Sequence, residues 1–304
     1  MEYLLSTNNL TKIYGKQRAV DKVNIHIRKG DIYGLIGKNG AGKTTILRML
    51  GGLAKVSEGE YSLYGYTGSD IKKVQSRIGI LIEDPGVYPN MSAYENLKIK
   101  CIAAGVKDKG IINELLNTVG LGDVGKKKVK NFSLGMKQRL GIALALVGNP
   151  DLVILDEPIN GLDPQGIAEI RETIEKLNRE KGITFIISSH ILEELSKMAT
   201  NYGIIHKGVL VKELTKEQLW ENCGEYIEIH TEDVKQACTV IEKLNIKNYK
   251  VIDAQTLHVF ERLEESADIT YALSTNKVRI KEIAVKNVAL EDYFLKLTGG
   301  EANV

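Results

Sequence analysis

The segment Gly37-Lys38-Asn39-Gly40-Ala41-Gly42-Lys43-Thr44 limits this chain more than any other stretch. Its glycines leave backbone amides free to converge on one point without side chains in the way, and a lysine and a hydroxyl complete the pattern G-x-x-x-x-G-K-[ST]. Such a loop cradles phosphate oxygens when a strand precedes it and a helix follows, because the helix presents the positive end of its dipole. Both are predicted here. Ile32-Tyr33-Gly34-Leu35-Ile36-Gly37 is continuously apolar, as a buried strand would be, and residues 44–53 read as a helix. Lys43 is then expected to reach the β- and γ-phosphates of a nucleoside triphosphate, and the Thr44 hydroxyl to bind Mg²⁺.

The surrounding pattern sets the fold class. Val23-Asn24-Ile25-His26-Ile27 alternates like a half-buried strand, while Leu152-Val153-Ile154-Leu155 and Thr184-Phe185-Ile186-Ile187 are short apolar runs. Between the last two, Ile167, Ile170, Ile174 and Leu177 recur three or four residues apart, on one face of a helix. Alternating strands and helices predict a mainly parallel sheet covered on both faces. In such a sheet the carboxyl ends of the strands share one edge with the phosphate loop. Asp156 and Glu157 directly follow one apolar run, and Ser188-Ser189-His190 ends the next. By themselves, two acidic residues at a strand end usually begin a solvated loop. Beside the phosphate loop, Asp156 is placed to hold Mg²⁺ through water and Glu157 to polarise an attacking water. His190 is placed either to contact the γ-phosphate or to orient that water.

Near residue 221 the pattern changes. Alternating and amphipathic segments follow in the order β-α-β-β-α-β, with Asp253-Ala254-Gln255 as a hairpin turn and residues 290–297 as a last amphipathic helix. That order predicts a small α+β, ferredoxin-like unit over residues 221–304. The 304 residues suffice for one large domain plus this small one. With 41 basic and 39 acidic residues the formal charge is only +2, which gives no reason to expect a nucleic-acid groove. Cys101, Cys223 and Cys238 lie far apart, form no C-x-x-C pair and read as reduced thiols of a cytosolic protein. The start of the chain lacks the features of a secretory signal, and no run approaches the roughly 20 apolar residues of a membrane-spanning helix.

Adding Asn131-Phe132-Ser133-Leu134-Gly135-Met136-Lys137-Gln138-Arg139 upstream of the carboxylates, the chain resembles the nucleotide-binding subunit of an ATP-binding-cassette (ABC) transporter. The resemblance spans residues 1 to about 220. In order it takes in the phosphate loop, a middle loop at Glu83, the signature segment, Leu155-Asp156-Glu157-Pro158, the dimer-contact loop Gly161-Leu162-Asp163, and Ser189-His190. It implies a P-loop NTPase cassette over residues 1–220, with a helical signature subdomain at about 84–150. ATP and Mg²⁺ are the implied ligands, contacted by Gly37, Asn39, Gly40, Ala41, Gly42, Lys43, Thr44 and Thr45, with Tyr14 stacking on adenine. It further implies a head-to-tail homodimer or heterodimer, in which Ser133 and Gly135 bind the γ-phosphate held by the other subunit. Glu157 would be the general base, with His190 and Lys43 beside it. Thr44, Asp156 and Glu83 would form the metal side. The chain would sit on the cytoplasmic face of the membrane, docked on a separate permease partly through residues 94–101.

Two departures from the family pattern stand out. Glu83 occupies the place of a glutamine, adding a negative charge and removing an amide donor. This resembles the subgroup that exports, or gives immunity to, peptide antibiotics of the bacitracin and lantibiotic kind; a neutral replacement is the alternative. In the signature, Leu134 and Met136 replace a glycine and a glutamine, leaving Ser133 and Gly135 as the residues that must approach phosphate. A soluble cassette acting on ribosomes or nucleic acid is a rival reading. Against it stand a single cassette, no heptad stretch and near-neutral charge. Removing residues 221–304 is expected to alter dimerisation or coupling while ATP binding persists, as an equilibrium ATP titration of the folded truncation would measure.

Overall fold

The computed structural model describes residues 3–108, 110–288 and 290–299. It divides into two compact units, Met1–Lys216 and Glu217–Val304. The first unit begins with β1 (Leu5–Tyr14), β2 (Gln17–Val23), β3 (His26–Ile27), β4 (Ile32–Ile36), α1 (Lys43–Leu50), β5 (Glu58–Leu63), β6 (Tyr66–Thr67) and β7 (Ile78–Leu81). Three helices follow, α2 (Ala93–Ala103), α3 (Ile111–Thr118) and α4 (Leu134–Ala145). The unit closes with β8 (Leu152–Asp156), α5 (Pro164–Lys181), β9 (Thr184–Ser189), α6 (Leu192–Ser196), β10 (Asn201–His206) and β11 (Val209–Thr215).

Six of these strands form one sheet in the order β11-β10-β4-β9-β8-β7, parallel except for the β10–β11 hairpin. Every residue of β4, β8 and β9 is buried, which is why those runs carry no polar alternation until their carboxyl ends. A second, antiparallel sheet runs β2-β1-β5-β6, with β3 also paired to β1. One apolar core takes in both sheets and α1, with Leu5, Leu10 and Val20, Ile46, Leu47 and Leu50 of α1, and Leu35, Ile154 and Ile186 among its members. Glu213 of β11 adds a polar tie, accepting from the Tyr33 hydroxyl and the His26 amide at 2.8 Å each and pairing with His26 Nδ1 at 2.8 Å. Burial, reinforced by the charge of Glu213, pushes the Tyr33 hydroxyl well above its ordinary pKa and keeps it a proton donor.

The strand expected over residues 23–27 is interrupted. The Thr7 hydroxyl donates to the Val23 carbonyl (2.8 Å) and accepts from the Ile25 amide (2.7 Å), and Asn24 Oδ1 accepts from the Asn9 amide (2.8 Å). Side chains thereby replace ladder bonds and break the element between Val23 and His26. The helical layer follows its caps. At α2, Ser92 and Glu95 form a reciprocal capping box; at α4, the Ser133 hydroxyl accepts from the Met136 amide.

In the second unit α7 (Lys216–Asn222), which begins at the boundary, leads into β12 (Gly224–Thr231), α8 (Val234–Lys243), β13 (Tyr249–Val251), β14 (Thr256–Val259), α9 (Ser266–Thr275), β15 (Ile280–Val288) and α10 (Leu290–Leu297). Its sheet is antiparallel in the order β13-β14-β12-β15, the arrangement of a ferredoxin-like βαββαβ unit. Ala237, Val240 and Ile241 of α8 and Ile269 and Leu273 of α9 cover Ile227, Ile229, Leu257 and Val259. On the same strands Glu228 is bracketed by His230 Nε2 (3.1 Å) and His258 Nε2 (3.0 Å), tying β12 to β14. Burial pushes the Glu228 carboxyl up, but the two histidines outweigh it and hold the group below its ordinary pKa.

Gly79 of β7 lies tightly against α4, since a Cβ there would lie 2.1 Å from the Ala145 carbonyl oxygen. Gly79→Ala is expected to destabilise the protein by about 1–3 kcal/mol, as overpacked cores do. Chemical denaturation would measure this.

Candidate active site

The loop joining β4 to α1 is shaped by two left-handed glycines, Gly40 (φ 81°) and Gly42 (φ 107°). At Gly42 a side chain is excluded twice over, because a Cβ would also lie 2.7 Å from the Ala19 carbonyl oxygen. The Ala41 carbonyl accepts from the Gly208 amide at 2.9 Å, and the Gly208 carbonyl accepts from the Asp21 amide at 2.8 Å. The loop is thus pinned between β2 and the β10–β11 turn. No side chain caps α1 and no acidic residue lies in its first turn. Its leading amides and dipole are therefore available to an anion. Asn39, Gly40, Gly42, Lys43, Thr44 and Thr45 line a cleft of about 440 Å³, together with Glu157.

Lys43 is 5% exposed; its ammonium donates to the Gly37 carbonyl at 2.6 Å and lies 3.1 Å from Glu157 Oε1. The other Glu157 oxygen is 2.7 Å from His190 Nδ1. Glu157 therefore sits between a cation and an imidazole, with its own backbone left-handed at φ 50°. That conformation costs of order 1–3 kcal/mol and holds only where the surroundings fix it. One fixing contact is the Glu157 amide, which donates to Ser188 Oγ at 2.9 Å. Ser188 Oγ in turn donates to Asp156 Oδ1 at 2.5 Å, and Thr44 Oγ1 donates to Asp156 Oδ2 at 2.8 Å. The chain Thr44–Asp156–Ser188–Glu157 follows from parallel pairing, since Asp156 and Ser188 stand opposite each other in β8 and β9.

The Thr44 hydroxyl and the Asp156 carboxylate are hard oxygen donors brought together at the mouth of the phosphate loop, a donor set that fits Mg²⁺. Among the described residues no group of three or more His, Cys, Asp and Glu is arranged to hold a metal; Thr44 and Asp156 would hold Mg²⁺ only together with phosphate and water oxygens.

Other candidate residues lie apart from this cleft. Ser133 and Gly135 line a second cleft of about 460 Å³ with Gly161, Leu162 and Asp163. Tyr14, at the end of β1, is 49% exposed, and the Lys12 ammonium lies 4.9 Å from its ring centre. Glu83 is paired with Arg48 of α1 at 2.6 Å, and neither Thr44 nor Asp156 is its partner. A third, more apolar cleft of about 490 Å³ runs between Ile80, Ile82 and Pro85 on one side and Asn96, Ile99 and Lys100 of α2 on the other. Sequence reading missed Ser188 as a site residue and missed Gln17, Arg18, Asn160 and Lys207, which also line the nucleotide-sized cleft. Only the position of Ser188, opposite Asp156 in neighbouring strands, could have drawn attention to it.

A glycine cradle facing a strand-end carboxylate, with a second carboxylate held by lysine and histidine, defines a P-loop nucleoside triphosphatase. Within that class, the ABC transporter family pattern matches residues 20–160. The bacitracin transport ATP-binding protein BcrA of Bacillus licheniformis is 43% identical over 302 residues, covering 99% of each chain. The lantibiotic transport ATP-binding protein SrtF of Streptococcus pyogenes is 48% identical over 212 residues, covering 69% of this chain and 90% of that one. Among solved structures, the post-hydrolysis dimer of the ATP-binding cassette MJ0796 with ADP and Pi is similar, with a TM-score of 0.63, 25% identity and coverage of 70% of this chain and 98% of that one. The chain belongs to the ABC transporter family as one of its ATP-binding proteins, and is an ATPase of that family. Ser188→Ala should lower kcat for ATP hydrolysis roughly tenfold while ATP still binds, because it releases both Asp156 and the Glu157 backbone. Steady-state kinetics beside equilibrium ATP titration would read the two effects separately.

Proposed function

We propose that this chain is the energy-supplying subunit of a two-component membrane transporter that exports a peptide antibiotic or drug, or gives immunity to it. The observation that carries the catalytic part is Glu157, held between Lys43 and His190 beside the phosphate loop. The nature of the cargo is supported by the printed roles of BcrA and SrtF in bacitracin and lantibiotic transport, and by the nearly full-length match to BcrA.

In this reading Lys43 and the loop amides bind the β- and γ-phosphates, Thr45 lines the cleft, and Tyr14 provides the stacking face for adenine. Glu157 accepts a proton from a water as the water oxygen bonds to the γ-phosphorus and the bond to the β,γ-bridging oxygen breaks, leaving ADP and phosphate. His190 holds the carboxylate in line and offers a polar contact to the departing phosphate. Mg²⁺, when bound by Thr44 and Asp156, neutralises charge on the phosphate oxygens. Glu83, paired through one oxygen with Arg48 of α1, would offer its carboxylate to the metal side from the loop bordering the apolar cleft.

Ser133 and Gly135 lie in a different cleft from the phosphate loop, which supports a site completed by a second subunit, identical or related. Ser133 opens α4, so the helix amides and dipole would face the γ-phosphate held by that partner. The apolar cleft beside α2 suits a helix of a permease, with Ile99 and Lys100 on its wall, while Cys101 is buried and Tyr94 is exposed. No helix among the described residues is long and apolar enough to cross a membrane, so in this reading the permease makes the crossing and the chain sits on its cytoplasmic side.

Glu157→Gln tests the assignment. It should keep ATP binding, lower hydrolysis by 10²-fold or more through loss of the general base, and accumulate an ATP-bound dimer on size-exclusion chromatography. Unchanged turnover would remove Glu157 from the chemistry.

A further inference from the structure

The β10–β11 turn consists of Lys207 and Gly208, flanked by the paired residues His206 and Val209. Both turn residues have positive φ, 46° at Lys207 and 82° at Gly208, as a two-residue type I′ hairpin requires. Asparagine, aspartate or glycine is the residue such a turn favours at its first position; lysine has a Cβ and no short polar group to offset the left-handed backbone. The sequence nonetheless places a cation there.

That turn is held rigidly against the phosphate loop. Gly208 donates to the Ala41 carbonyl at 2.9 Å and accepts from the Asp21 amide at 2.8 Å. A Cβ on Gly208 would lie 2.8 Å from the Ala19 carbonyl oxygen, and one on Gly42 would lie 3.5 Å from Gly208 Cα. Three backbone segments therefore meet with no room for a side chain at Gly42 or Gly208, and Lys207, the residue before that junction, lines the same cleft as Gly40, Lys43 and Thr45. The other cations lining the cleft are engaged. Lys43 is bound to Gly37 and Glu157, and Arg18 is bound to Asp21 and Glu58. Lys207 is exposed and makes no ion pair or side-chain hydrogen bond among the described residues.

We infer that Lys207 is a further nucleotide-contacting residue, whose ammonium binds the triphosphate chain held by the phosphate loop. The inference rests on reading this cleft as the ATP site. It explains why a charged side chain occupies a left-handed position beside that junction: the rigid turn fixes where the charge stands, and a negatively charged ligand neutralises it.

The test uses the full chain and competition titrations with ATP and with adenosine against a fluorescent nucleotide. Lys207→Asn suits the left-handed backbone, so folding is retained and its thermal midpoint should not fall. ATP affinity should drop roughly three- to tenfold, the range of a partly exposed charge-assisted contact, with adenosine affinity unchanged. Lys207→Arg should stay within about twofold of the parent, because the charge is kept. ATP affinity unaltered in Lys207→Asn, or equal losses for ATP and adenosine, would overturn the inference. Failure of the parent chain to compete with ATP at all would overturn the site reading, and this inference with it.

Discussion

Parallel pairing of β4, β9 and β8 in a single register underlies everything at the site. Ile36 stands opposite Ser189, and Asp156 opposite Ser188. The glycine-rich loop, Asp156 and Glu157 therefore leave the sheet at the same level. Were β8 shifted by one residue, its side chains would exchange faces. Asp156 would lose Thr44 and Ser188 together. The strands are buried on both faces, so a slip would mispack side chains on each and leave buried backbone groups at the strand ends without partners.

On this frame the polar groups constrain one another. Lys43 is buried, which is tolerable because carbonyl oxygens and Glu157 neutralise and solvate its ammonium. Glu157 is in turn held by Lys43 and His190, with a strained backbone fixed by Ser188. In the proposed role of base, a carboxylate preset in this way would need little rearrangement when the γ-phosphate arrives, and preset electrostatics of that kind lower a barrier most. The signature residues Ser133 and Gly135 stand in a cleft of their own. In the proposed reading a second subunit brings those residues to the phosphate, which would make catalysis conditional on pairing.

Much of this was readable in residues 37–44, 155–158 and 188–190, because each is a local string whose chemistry depends on the backbone type around it. The α/β order of the first unit and the βαββαβ order of the second were readable from periodicity for the same reason. The antiparallel sheet built from β1 and β5 was not, since Leu5 pairs with Leu63 across more than fifty residues and neither strand carries a turn signal pointing to the other. The break between Val23 and His26 was hidden too, because it depends on the Thr7 hydroxyl, remote in sequence.

By itself the sequence determined the glycine-rich loop, the two strand-end carboxylates and membership of the ABC family of ATPases, because those properties reside in short strings with fixed geometry. Only the tertiary structure decided which groups converge. It placed Ser188 as the bridge between Asp156 and Glu157, gave Glu83 to Arg48, and set Lys207 beside the phosphate loop. Each of these depends on register and packing between segments 30 or more residues apart, and no local pattern encodes such distances.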